Sequence, residues 1–199
     1  MFSQRDEEIH IVEYFKNRVK EGRFLDIGAY DGITFSNIRQ LALNGWGGVL
    51  IEPMIEMHDV LEELYNSSRF TILYVGVGLK NEMHTFYNFA GDAIGSFDKE
   101  HADIWVDKAR PYTEVQYEII SVESLFDRVG WEFDFINIDA EGWSIQILKS
   151  LPFDKLDRVK MICIEFDSQA NQVLKFMKEY RFTELHRTAE NLILVRECI

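Results

Sequence analysis

Phe24-Leu-Asp-Ile-Gly-Ala-Tyr-Asp-Gly32 is an apolar strand end that runs into an acid, then into two glycines four residues apart, then into an apolar stretch. Glycine tolerates positive φ and has no side chain to block close approach of a ligand. A turn of this kind, between a buried strand and a helix, is where nucleotide-like cofactors bind in open α/β sheets. The order here is D-x-G-x-x-x-G, whereas a dinucleotide fingerprint is G-x-G-x-x-G with the pyrophosphate on a helix N-terminus. A carboxylate at Asp26 repels a pyrophosphate and favours a cationic ligand. An ordinary tight turn with a capping Asp has the same spacing, so the run alone leaves both readings open.

Outward from this turn, strands and helices alternate. Asp6 to Lys20 reads as an N-terminal amphipathic helix within residues 1–20, with Ile9, Val12, Phe15 and Val19 on one face. Phe24 to Ile27 is a strand. Ile33 to Asn44 reads as a helix with Phe35, Ile38 and Ala42 on a shared face, stopped by Asn44-Gly45. Gly48 to Ile51 is the second strand. Pro53 opens a helix whose apolar face is Met57, Val60, Leu61 and Leu64. Phe70 to Val75 is the third strand.

The alternation then stops. Met83 to Phe89 and Thr113 to Ile120 read as strands, with a short helix from Asp98 to Ala109 between them. Residues 91–110 form a long insertion of the kind that often serves as a lid. Ser121 caps a helix to Val129. Phe133 to Ile138 and Val159 to Phe166 are buried strands, followed by helices over Gly142 to Leu151 and Gln169 to Tyr180. Phe182 to His186 and Leu192 to Val195 close as a hairpin. The pattern predicts a doubly covered, mostly parallel sheet with an antiparallel edge strand.

Composition narrows the class. The 199 residues suit one domain, and 47% hydrophobic content supports a core. Only three prolines occur, and no repeat or linker divides the chain. The net charge of −13, without a basic cluster, argues against nucleic acid as a partner. No stretch approaches the roughly 18 apolar residues of a membrane helix. The polar, acidic N-terminus does not read as a secretory signal. Cys163 and Cys198 lack metal or disulfide spacing, which points to a reducing, cytoplasmic setting, with Cys163 as a small core residue. The five histidines have no metal spacing either, and each reads as a surface or strand residue.

Five further acids belong with Asp26. Glu52 ends the second strand, where an acid accepts both hydrogen bonds of a ribose diol. A solvated acid before a helix start is the competing reading. Asp139 and Glu141 follow the strand in Phe133-Asp-Phe-Ile-Asn-Ile-Asp-Ala-Glu-Gly142, and Glu165 and Asp167 close the next strand. All four face the carboxyl edge of the sheet, where ligands dock. They suit proton transfer or a hard cation. Helix capping is the alternative for Asp139, for Glu165 and, above all, for Asp167. Trp105 and Trp143 are pocket candidates, although a tryptophan is more often core.

The assembled stretches resemble the FkbM-like family of S-adenosylmethionine-dependent methyltransferases. The matches are F-L-D-I-G-A-Y-D-G (24–32), G-V-L-I-E-P-M (48–54), V-G-V-G-L-K-N-E (75–82), I-S-V-E-S-L-F (120–126), F-I-N-I-D-A-E-G (135–142) and I-E-F-D (164–167), in family order. The resemblance implies a class I methyltransferase, Rossmann-like fold: a seven-stranded sheet, six strands parallel and one antiparallel. It implies that Asp26, Gly28, Ala29, Tyr30 and Gly32 hold the methionine part of the cofactor. Glu52 would hold the ribose, with Met54 and Val77 by the adenine. Asp139 and Glu141 would face the methyl group and the acceptor, with Glu165 beside them. Ser96, in Ala93-Ile-Gly-Ser-Phe97, matches a small-residue segment that faces the active site. Tyr30 and Ala140 depart from the family pattern, which has a small polar residue and Val there.

The expected reaction is O-methylation of a sugar or small-molecule hydroxyl, with S-adenosylhomocysteine as product and a divalent metal as an optional helper. A nicotinamide-dependent oxidoreductase, a non-catalytic methyltransferase-like binding module and an α/β interaction protein are the alternatives.

Overall fold

Period-two alternation along each strand puts different side chains on the two faces of a sheet. The computed structural model describes residues 1–197; Cys198 lies outside them. Its strands are β1 (Arg23–Ile27), β2 (Gly47–Ile51), β3 (Phe70–Leu73), β4 (Gly76–Gly78), β5 (Glu82–Asn88), β6 (Thr113–Ser121), β7 (Phe135–Ile138), β8 (Met161–Glu165), β9 (Phe182–Arg187) and β10 (Asn191–Arg196). The helices are α1 (Glu7–Phe15), α2 (Arg39–Leu43), α3 (His58–Leu64), α4 (Lys99–Val106), α5 (Val122–Val129), α6 (Ser144–Ser150) and α7 (Ala170–Lys178).

Seven strands pair in the order β3-β2-β1-β7-β8-β10-β9. The β3-β2-β1-β7-β8 pairs are parallel, and β10 is antiparallel to both of its neighbours. Six strands therefore run one way and one is reversed. The reversed strand is not at the edge, as the hairpin pattern suggested. β9 takes the edge, and β10 folds back between it and β8. β4, β6 and β5 form a separate three-stranded sheet, an arrangement that the alternation did not foreshadow.

Leu25, Ile27, Ile136, Ile138, Ile162 and Ile164 face one core, together with Leu125, Leu148 and Val173 of α5, α6 and α7. Phe24, Leu50, Phe135 and Cys163 face the other, with Ile11, Leu41 and Leu61 of α1, α2 and α3. Helices thus cover both faces.

Two helices differ from their sequence reading. α1 ends at Phe15 and buries Ile11 and Phe15, while Ile9 is 57% exposed. The rotation follows from Glu7, fully buried, which accepts hydrogen bonds from Thr188 Oγ1 at 2.8 Å and Asn191 Nδ2 at 3.2 Å. The helix expected from Ile33 begins only at Arg39. Asp31 accepts from the Ile33 and Thr34 N–H groups and from the Thr34 hydroxyl, which offers the backbone a turn in place of a helix. Ser36 Oγ then accepts from Arg39 N. Phe35 takes a φ of 60° and is half exposed rather than buried.

Asp134 shows how this fold settles a buried acid away from ligands. It is 2% exposed and sits before β7, at the amino edge of the sheet. It accepts from Arg158 at 2.7 Å, Lys160 at 3.1 Å and the Arg23 N–H at 3.0 Å. The pairing holds its carboxyl below the usual range despite burial. The carboxyl edge is organised differently.

Candidate active site

β1, β2, β7 and β8 end side by side, and each delivers a carboxylate to the same edge. A cavity of about 330 Å³ opens there. Asp26, Gly28, Ala29, Tyr30, Glu52, Met54, Val77, Ser96, Trp105, Asp139, Glu141, Trp143 and Glu165 all line it. Of the residues proposed from sequence, Gly32 and Asp167 stand outside the lining. Gly32 instead lets Tyr65 pack against the turn. A Cβ there would meet the Tyr65 ring at 2.6 Å, and the Tyr65 hydroxyl donates to the Gly32 carbonyl.

The turn after β1 lies against β7. Gly28 has a φ of +85°, and a Cβ on it would sit 1.7 Å from the Asp139 carbonyl oxygen. The N–H groups of Gly28 and Ala29 both donate to the Ile51 carbonyl, and that of Tyr30 donates to Glu52 Oε2 at 2.9 Å. The three N–H groups are therefore engaged within the protein. The next helix starts only at Arg39, so the turn offers a pyrophosphate neither these N–H groups nor a helix N-terminus. This geometry disfavours the dinucleotide alternative.

Glu52 is 3% exposed. Its Oε1 accepts from the Met54 N–H at 2.9 Å, so each carboxylate oxygen holds one backbone donor and keeps further acceptor capacity. Asp26 is buried on the face shared with Asn137 and Cys163, its in-register neighbours across β7 and β8. Asn137 Nδ2 donates to Asp26 Oδ1 at 2.8 Å, and Asn37 Nδ2 donates to Asn137 Oδ1 at 3.0 Å. Burial raises both carboxyls to about 7; Asn137 opposes this at Asp26, and the two N–H donors oppose it at Glu52.

Asp139 and Glu165 form a half-buried, hydrogen-bonded carboxyl pair. Burial first, then repulsion from Glu141, Asp26 and Asp167, raises Asp139, while its hydrogen bond with Glu165 opposes the rise; burial, then repulsion from Asp139, Glu141 and Asp167, raises Glu165. Oxygens of Asp139, Glu141 and Glu165 lie within 4.8 Å of one another, a spacing that also suits a hard divalent cation. No lysine or arginine of the described residues offsets Asp26, Glu52, Asp139 or Glu165. Nor do these acids serve as helix caps, because neither α6 nor α7 has a side-chain cap. Left-handed backbone at Tyr30, Glu141, Asp167 and Ser168 adds strain along this edge.

Residues 91–110 form one wall. Asp98 caps α4 through the Glu100 and His101 N–H groups. The Ser96 hydroxyl donates to the Glu141 carbonyl at 2.5 Å, and the Tyr30 hydroxyl donates to the Gly91 carbonyl at 3.0 Å. Trp143 stacks on Phe97, with ring centroids 5.3 Å apart. His101 lines the cavity with Nε2 2.8 Å from Glu141 Oε2, a contact that raises the His101 pKa.

His101, Asn37 and Asn137 escaped the sequence reading. A polar Asn inside the apolar run I-N-I-D was a usable signal, because a buried amide needs a partner. Nothing in spacing couples His101 to Glu141.

Among the described residues no helix is long and apolar enough to cross a membrane. The family model for the methyltransferase FkbM domain matches residues 26–184. The fold matches the crystal structure of methyltransferase FkbM from Methylobacillus flagellatus KT at 13% identity and a TM-score of 0.57. That match covers 94% of this chain and 47% of the other, so the chain spans about half the length of that structure. Ribosomal protein L11 methylase from Lactobacillus delbrueckii subsp. bulgaricus matches at 17% identity and a TM-score of 0.43, over 96% of this chain and 77% of that one. Precorrin-6y C5,15-methyltransferase from Geobacter metallireducens GS-15 matches at 15% and 0.45, over 94% and 87%. No curated protein matches the sequence. With the family model matched across most of its length, the chain belongs to the FkbM methyltransferase domain family.

Proposed function

We propose that this chain is an S-adenosylmethionine-dependent methyltransferase that O-methylates a hydroxyl of a sugar or another small molecule. The observation that carries the reading is the set of carboxylates without cationic partners, Asp26, Glu52 and Asp139, on one cavity wall beside a turn whose N–H groups are engaged. A ligand with a cationic centre and a vicinal diol satisfies such a wall, and a pyrophosphate does not. The volume of about 330 Å³ is that of a small-ligand site.

Asp26, Gly28, Ala29 and Tyr30 would hold the methionine part, Glu52 the ribose diol, and Met54 and Val77 the adenine. When bound, S-adenosylmethionine supplies the electrophilic methyl group and leaves as S-adenosylhomocysteine. The remaining work falls to this chain's own residues. Glu165 keeps the proton of the carboxyl pair and donates it in a hydrogen bond, which leaves Asp139 as the carboxylate toward the acceptor. Asp139 orients the acceptor hydroxyl and takes its proton as the new O–C bond forms. Holding the hydroxyl in near-attack geometry supplies much of the rate. Glu141 and His101 offer hydrogen bonds to neighbouring hydroxyls, and Trp105 and Trp143 offer apolar faces to a sugar ring. Residues 91–110 act as the lid over this acceptor site. A small neutral or glycan acceptor and a cytoplasmic setting, with Cys163 as a free thiol, complete the proposal.

Thermal unfolding with S-adenosylhomocysteine, set against unfolding with NAD, tests the cofactor. A ligand at 100 times its dissociation constant stabilises by roughly 2.7 kcal/mol. A shift with S-adenosylhomocysteine alone is expected. A shift with NAD alone, or with neither, overturns the reading.

A further inference from the structure

Away from the cavity, α1 and β9 bring together three metal-ligating side chains that the reaction does not use. Asp6 and His10 lie one helical turn apart, and His186 stands on β9. Asp6 occupies the N-cap position of α1 yet makes no capping hydrogen bond. Its carboxylate faces two imidazoles instead. Oδ1 is 2.9 Å from His186 Nε2, and Oδ2 is 3.5 Å from His10 Nε2. The two rings stack with centroids 3.7 Å apart and planes at 22°. One ligand atom from each residue lies within 4.8 Å of the other two. All three side chains are partly exposed, so an ion reaches them from solvent.

The spacing suits a tetrahedral ion. Bonds of about 2.0–2.1 Å to nitrogen and oxygen place adjacent ligand atoms about 3.3 Å apart. The two carboxylate oxygens, Oδ1 and Oδ2, stand 2.9 and 3.5 Å from the imidazole nitrogens of His186 and His10, distances on either side of that value. Two imidazoles and one carboxylate select a zinc-class cation over magnesium or calcium, which prefer all-oxygen shells. We infer that Asp6, His10 and His186 bind one zinc-class divalent cation, with a fourth position open to water. The ion fastens α1 to the edge strand of the main sheet. It reinforces a seam that Glu7 makes with Thr188 and Asn191, and Arg5 with Glu190 at 3.0 Å. Gln4 and Glu190 also line the cavity, so the seam adjoins its rim. The inference is independent of the methyltransferase reading.

The test is titration of chelator-stripped protein with Zn²⁺ against a chromophoric chelator, with unfolding temperature read in parallel. One equivalent of Zn²⁺ is expected to bind and to raise the unfolding temperature, whereas millimolar Mg²⁺ leaves it unchanged. A hydrogen-bond partner of a metal ligand is worth about 10- to 100-fold in affinity, so loss of a ligand weakens binding by more than about 100-fold. His10→Ala and His186→Ala are each expected to do this. The pair His10→Gln and His186→Gln gives the same readout with side chains that preserve more of the packing. Glu165→Gln controls for the acid cluster in the cavity. Equal Zn²⁺ affinity in the histidine variants, or loss of binding only in Glu165→Gln, overturns the assignment.

Discussion

Replacing Asp26 by Asn should make this protein more stable in alkaline solution and poorer at holding its ligand. Asp26 is 2% exposed, and what offsets its burial is one amide donor, Asn137 Nδ2 at 2.8 Å. An Asn side chain keeps the shape and still accepts that bond. It removes a charge that burial disfavours. The carboxyl rises from 3.8 to about 7 on folding. A raised folded-state pKa gives an acid stability that is present below its unfolded pKa and lost as pH rises through the folded value. At about 1.4 kcal/mol per unit, the wild-type chain loses on the order of 4 kcal/mol at this position between pH 4 and pH 8. Urea unfolding of both proteins across that range measures the difference. Asp26→Asn should match the wild type near pH 4 and exceed it by several kcal/mol at pH 8. Calorimetry with S-adenosylhomocysteine should show weakened binding at pH 8 and little change near pH 4. A variant no more stable than wild type at pH 8 would refute the claim that an uncompensated buried charge sits at this turn. A gain in stability with unchanged affinity would separate the charge from ligand binding.

Three further outcomes follow from the same geometry. Asp139→Asn should leave S-adenosylhomocysteine affinity within a few-fold and lower methyl transfer by about 10²- to 10⁴-fold, the usual worth of a positioned proton acceptor, as read by single-turnover assay; unchanged turnover would move that role elsewhere. Gly28→Ala forces a Cβ to within 1.7 Å of the Asp139 carbonyl at a φ of +85°, and should cost at least about 1–3 kcal/mol in urea unfolding and abolish cofactor binding. Tyr30→Phe removes the hydrogen bond to the Gly91 carbonyl, and limited proteolysis should then cut residues 91–110 faster in the free protein; equal cutting rates would deny this bond a part in holding the segment.

Much of the main sheet was legible because its strands are short apolar runs that end in acids or glycines. The acids gather at one cavity. Four strand ends carry Asp26, Glu52, Asp139 and Glu165, and parallel pairing in register places them at one edge without further instruction. What the pattern hid depends on partners far away in the chain. The apolar face of α1 was misread because a buried Glu7 is held by Thr188 and Asn191, and no local signal foretells an acid on the inside of a helix. The shortened α2 was in principle readable, since Asp31 and Ser36 both compete with helix backbone bonds, but Ile33, Phe35 and Ile38 carry a stronger periodic signal.

The contrast between Asp134 and the acids of the cavity argues that this edge is built to be completed by a ligand. All are acids of one sheet, Asp134, Asp26 and Glu52 buried and Asp139 and Glu165 half-buried. Asp134 has Arg158, Lys160 and a backbone N–H, and its pKa is lowered. Asp26, Glu52, Asp139 and Glu165 have amide donors or one another, and all are raised. The same fold therefore has the means to neutralise a buried carboxylate and does not use them at the carboxyl edge. A protein keeps such a cost where the missing charge arrives from outside. Binding of a cation should then lower these pKa values and release protons near pH 7. Calorimetry with S-adenosylmethionine in buffers of different ionisation enthalpy reads that release. It should exceed the release seen with neutral-sulfur S-adenosylhomocysteine, and equal release with both would remove the sulfonium charge from the argument.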